Sequence, residues 1–258
     1  MEFIASNLEL IILIIASFTT SIVSAILGMG GGIILLGIMA IIIPNGYMAI
    51  ALHGIIQLVS NTTRTYVFRD HIKKNIFREF SIGAICGSFL SIFFIFLLIY
   101  KFNINQPSDL KFDYLKPLIG IFIIWYLFFK TKKKIKNNNT FYTVGFIGSI
   151  SSTFIGAAGP LIAPFFLNHN LSKENVIANK AACQTIGHLL KIPIFIYFFQ
   201  VNYIENLSTL TPLVIAVFIG TQLGKKLLGY LPEKLFVSLF KLTLFLISIK
   251  LIFSYQTI

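Results

Sequence analysis

Predominantly apolar stretches of 17 or more residues recur from one end of this chain to the other, as in Leu8 to Leu27, Phe80 to Tyr100 and Leu235 to Phe253. Each is long enough to cross about 30 Å of hydrocarbon as a helix. One such run could be a signal peptide, but so many cannot. A membrane barrel would show alternating segments of about ten residues, whereas these runs are continuous. With 56% hydrophobic and 12% charged residues, the composition also lies outside the soluble range. The chain is therefore read as an all-α integral membrane protein.

Ten segments are expected, at 8–27, 31–44, 47–68, 80–100, 114–129, 141–157, 159–168, 175–199, 207–224 and 235–254. The second and seventh are short, which leaves open whether they span fully and whether the count of transmembrane or re-entrant helices is eight or ten. The net charge of +12 gathers between segments, where membrane orientation demands it, so nucleic acid is excluded as a partner. Basic connections at 69–78, 130–136 and 225–234 are placed in the cytoplasm, and the Lys-free and Arg-free connection at 200–206 outside. Both termini are then predicted outside. Cys86 and Cys183 lack metal-site spacing and are read as small packing residues.

The two halves of the chain resemble each other. SAILGMGGGIILL (24–36) sets beside STFIGAAGPLIAP (152–164), HGIIQLVSNTTR (53–64) beside KAACQTIGHLLK (180–191), and Gly83 and Gly87 are answered by Gly220 and Gly224. This divides the chain into an N-terminal repeat (1–129), a basic cytoplasmic linker (130–140) and a C-terminal repeat (141–258). Five segments per half is an odd number, so the second half enters from the opposite side of the membrane. Such inverted repeats recur in secondary transporters.

Glycines 28, 30, 31 and 32 crowd into five positions, each costing a helix about 1 kcal/mol against alanine. They serve either close helix packing or a break in the helix at membrane depth. The second copy, Gly156 to Pro160, reads more firmly as a break, because Pro160 removes an N–H and disfavours helix before it. Broken helices would aim free N–H groups and positive dipole ends at a shared point, which favours an anion. A nucleotide-binding P-loop is excluded because no Gly-Lys-Ser/Thr follows.

His53, Gln57, Asn61 and Arg64 are spaced 4, 4 and 3, and Lys180, Gln184, His188 and Lys191 repeat that spacing. At ~100° per residue each set occupies an arc of about 80° on its helix. Ionisable groups inside a span tend to face the bundle interior or a water path, so the paired stripes predict a lined pathway. Arg64 and Lys180 stand near predicted helix ends, where snorkelling to the interface is an equal reading. Lys191 lies deeper. All nine acidic residues fall in or near connections and ends, so no intramembrane carboxylate is available for a metal or an organic cation. No cofactor or metal is expected, and any coupled proton would fall to His53 or His188.

The Gly-x-Gly-Gly-Gly break, its degenerate copy Gly-Ala-Ala-Gly-Pro, the helices bearing Gln, Asn and Lys, and the Gly-x3-Gly followed by Lys225 and Lys226 together resemble the TauE/SafE-type sulfite exporter family. The resemblance covers residues 8 to 254. It implies a permease moving sulfite, a sulfonate or a related anion across the bacterial inner membrane, with functional interest in Gly28, Gly30, Gly31, Gly32, Gly156, Gly159, Pro160 and Lys191. Taken with the stripes, the candidate site adds Gln57, Asn61, Gln184 and His188. The expected partners are a small anion and the bilayer, and a homo-oligomer is compatible with the sequence. An anion channel shares all these features. A membrane enzyme acting on lipid phosphates would want clustered acids, and only Asp109 and Asp113 stand as a spaced pair.

Overall fold

The computed structural model describes residues 7–43, 45–102, 115–128, 140–156, 158–167 and 171–253. Among them are ten α-helices, one short 3-10 turn at Arg69–His71, and no strand. The helices are α1 (Asn7–Leu27), α2 (Gly31–Ile42), α3 (Gly46–Val67), α4 (Lys74–Phe102), α5 (Leu115–Phe128), α6 (Thr140–Ile155), α7 (Gly159–Leu167), α8 (Lys173–Phe199), α9 (Leu207–Leu228) and α10 (Glu233–Phe253). Of the linker expected at 130–140 only Thr140 is described, as the first residue of α6; residues 130–139, the pair Asp109 and Asp113, and both chain ends fall outside the described residues.

Five helices, α1, α4, α8, α9 and α10, are long and apolar enough to cross a bilayer. At 22 residues α3 is as long as α9, but its polar stripe lowers its mean hydropathy. The polar side of α3 is buried, with His53, Gln57, Asn61 and Arg64 all turned inward. Conversely, Ile11, Ile15, Phe89, Phe93, Phe96, Leu242 and Leu246 are exposed. Water would penalise those rows of apolar side chains, whereas acyl chains meet them at no cost.

Helix ends follow local chemistry. α4 begins at Lys74, six residues before the expected Phe80, because the polar turn KNIFRE continues the helix without a breaker. α9 runs on to Leu228, so Lys225 and Lys226 occupy its last turn, where cations complement the helix dipole, rather than a connection. Ser172 caps α8 by accepting from the Asn175 N–H. Cys183 is buried as expected, but Cys86 is exposed: its position on α4 faces outward beside Ile82, Ile85 and Phe89.

The halves interleave. α1 packs on α9, and α4 packs on α6, a pair of contacts that exchange under the repeat. Both rest on glycine. A Cβ at Gly220 would meet Ser21 and the Phe18 carbonyl of α1; one at Gly83 would meet the Tyr142 carbonyl of α6. Gly224 against Ile22 and Ala25, and Gly87 against Phe146, repeat the approach one turn on, so each pair runs parallel. The central pair, α3 and α8, is antiparallel: His53 meets His188, Thr65 Oγ1 lies 3.4 Å from Thr185 Oγ1, and Asn179 Oδ1 accepts from the Lys73 N–H at 2.7 Å. Equivalent helices running in opposite directions are the geometry of an inverted repeat.

Candidate functional site

Two backbone breaks meet the central helix pair. Residues 28–30 are non-helical between α1 and α2, and Gly30 at φ 92° holds a conformation closed to L side chains. Gly156 at φ 83° opens the second break, before α7. Close packing contributes as well: a Cβ at Gly31 would run into the Thr20 carbonyl and Ser24 of α1. The glycine run therefore contains both a break between helices and a close helix approach, at different residues. Gly32 then lies beside Gln57, and Gly159 beside Gln184 and Lys180, so the breaks sit against the middle turns of α3 and α8. Helix α2, with 12 residues, and α7, with 9, rise only about 18 and 14 Å, too short to cross the hydrocarbon.

Between them is a cavity of about 30 Å³, room for roughly two water-sized spheres. The first break supplies Met29 and Gly30, α2 supplies Gly32 and Ile33, and α7 supplies Gly159 and Pro160. His53, Gln57 and Arg64 enter from α3, Lys180, Gln184 and His188 from α8, and Ser24 from the end of α1. No lining residue is acidic. The N-termini of both short helices open onto this space, and Gly30 gives α2 no side-chain cap.

Arg64 is 2% exposed and Lys180 1%, so neither snorkels. The Arg64 guanidinium donates to the Ser24 carbonyl at 3.1 Å and to Asn61 Oδ1 at 2.7 Å. Lys180 Nζ donates to the Gly28 carbonyl at 2.8 Å and to Gln184 Oε1 at 3.0 Å. Lys180 thus ties α8 to the first break and Arg64 ties α3 to the end of α1, both through neutral acceptors that hold the cation in place and leave its charge without an anionic counterpart. His53 Nε2 lies 2.7 Å from the Gly32 carbonyl, and its ring stands edge-on to His188 with centroids 6.3 Å apart.

Of the residues singled out by sequence, Gly30, Gly32, Gln57, Gly159, Pro160, Gln184, His53 and His188 line the cavity. Gly28 reaches it through its carbonyl, which holds Lys180, and Asn61 through its bond to Arg64. Gly31 packs on α1 and Gly156 against Ile50 and Leu36. Lys191 is buried but stands off the lining, with its stem against Gly54 and its ammonium 5.9 Å from the Phe195 ring. Ser24, Met29 and Ile33 line the cavity without having been singled out. Only their neighbourhood to the glycine run could have marked them.

In comparison with known proteins, a family model described as Sulfite exporter TauE/SafE matches residues 13–251, nearly the whole chain. No curated protein and no solved structure matches.

Proposed function

Because the chain belongs to the sulfite exporter TauE/SafE family, we propose that it is a secondary transporter carrying a small sulfur-containing or organic anion, such as sulfite or a sulfonate, across the bacterial inner membrane. Both termini lie outside in this reading. The observation that carries it is the meeting of Arg64 and Lys180, from antiparallel helices, in one buried cavity whose lining holds no carboxylate. A buried cation is costly and is retained inside a membrane where it serves transport. Its neutral partners satisfy its donors without cancelling its charge, so the species that completes the site is an anion. The N-termini of α2 and α7 add positive dipole ends, and Gln57 and Gln184 add amide donors for oxygen. His53 and His188 are the groups on the path able to carry a coupled proton.

A carrier is favoured over a channel by the small cavity at the meeting of two opposed repeats, the place where alternating access puts its site. The test is counterflow: proteoliposomes loaded with unlabelled sulfite should transiently accumulate external ³⁵S-sulfite with saturable kinetics. Ohmic anion current without counterflow would make the protein a channel. Wild-type vesicles indistinguishable from empty ones for sulfite, sulfonates and short carboxylates would overturn the transport reading.

A further inference from the structure

The repeat places Lys191 where the first half has Arg64, and His53 where the second half has Lys180. Arg64 and His53 are separated along α3 by eleven residues, as are Lys191 and Lys180 along α8, about 16 Å of helix rise. The path therefore has two ends built from equivalent positions. At one end Arg64 and Lys180 each donate to carbonyl and amide oxygens. At the other, Lys191 Nζ, His53 Nδ1 and His188 Nδ1 are buried with no hydrogen-bond partner at all. Three unsatisfied polar atoms on two packed helices, two of them on rings whose centroids are 6.3 Å apart, in a core where such atoms are ordinarily paired, mark a place for a ligand.

The chemistry of the two ends also differs. Arg64 and Lys180 can only donate. At the second end Lys191 can only donate, but His53 is committed otherwise. The Gly32 carbonyl can only accept, so Nε2 of His53 carries the proton, and Nδ1 of the neutral ring is left as an acceptor. A ligand satisfying both must present a negative oxygen to Lys191 and a hydrogen to His53.

We propose that His53, His188 and Lys191 form a second anion position on the path, selective for a singly charged oxyanion that retains one acidic proton, of which hydrogen sulfite is the simplest. Its charged oxygen accepts from Lys191 Nζ while its acidic hydrogen is donated to His53 Nδ1. A sulfonate has the charge without the hydrogen and satisfies only the Arg64 and Lys180 end. Along α3 the Arg64 and His53 positions are about 16 Å apart, a rise over which two unit charges repel by only ~1 kcal/mol at an effective dielectric of ~20. This inference rests on the anion-transport reading and names the protonation form of the substrate.

The test is calorimetric titration of the purified full chain in detergent at mildly acidic pH, with sulfite and, separately, methanesulfonate. Wild type should bind two equivalents of sulfite and one of methanesulfonate, and Lys191→Met should bind one of sulfite. Lys191→Met removes an unpartnered buried charge, so its melting temperature without ligand should not fall; a smaller sulfite-induced rise in that temperature than in wild type is a second readout. Two equivalents of methanesulfonate would overturn the role of His53 as acceptor. A single wild-type sulfite equivalent that Lys191→Met leaves intact would overturn the second position while sparing the transport reading. Absence of all anion binding, together with absence of sulfite counterflow, would overturn both.

Discussion

Replacing Lys180 by methionine tests whether the buried charge is there for a ligand. The substitution keeps the length and apolar stem but removes the ammonium that donates to the Gly28 carbonyl at 2.8 Å and to Gln184 Oε1 at 3.0 Å. An anion ~4 Å from that ammonium gains about 4 kcal/mol at an effective dielectric near 20. Water or a shifted Arg64 recovers part of this, leaving a loss of about 2–4 kcal/mol, or roughly 30- to 1,000-fold in Kd. For the unliganded fold two effects oppose. Two hydrogen bonds to a charged group, worth ~1.5–3 kcal/mol each, are lost, while the desolvation cost of a buried ion, several kcal/mol, disappears. Stability should therefore change by no more than about 2 kcal/mol. Calorimetric titration with sulfite, alongside a thermal melt without it, separates the two quantities. A Lys180→Met protein that melts like wild type and binds sulfite within threefold of the wild-type Kd would refute the argument that this charge serves the anion.

Two further outcomes concern the scaffold. Gly83→Leu and Gly220→Leu should each drive α4 from α6 or α9 from α1, because the new side chain meets a backbone carbonyl, that of Tyr142 or of Phe18, which cannot swing aside; loss of folded protein by size-exclusion chromatography in detergent is the readout, and a monodisperse variant would contradict the packing. Gly187→Ala, by contrast, enters open space in the middle of α8 and should stabilise it by about 1 kcal/mol through helix propensity, measured as a higher melting temperature.

Much of this architecture is legible in residue spacing because lipid allows few ways to satisfy a backbone. Apolar length located the spans, and the 4, 4, 3 spacing correctly put His53 and Gln57 on the face that meets His188 and Gln184. Depth was harder to read. A helical stripe specifies an angle about the axis, but a lysine or arginine side chain covers more than a helical turn, so its Cα position does not say where its charge rests. Arg64 illustrates this: one turn from the end of α3, it was as compatible with the interface as with the core, and only the Ser24 carbonyl and Asn61 show which way it turns. Lys191, deeper in its helix, has its head beside Gly54 and Phe195 and off the cavity wall. That depends on which small residue the opposite helix offers, a pairing no single segment encodes. Cys86 failed for a similar reason, since α4 is apolar on every side and nothing in its composition distinguishes lipid from protein.

The interleaving of the halves bears on how the protein is made. The face of α1 that carries Ser21 and Ala25 finds its cover in α9, a helix that leaves the ribosome about 200 residues later. At 5–20 residues per second, that is a wait on the order of 10–40 s. Throughout it the nascent helix sits in the bilayer with its hydroxyls facing lipid or a chaperoning insertase. Biogenesis thus ends with a late zippering step, and two separately translated halves should reach a folded state only when both are synthesised in the same membrane.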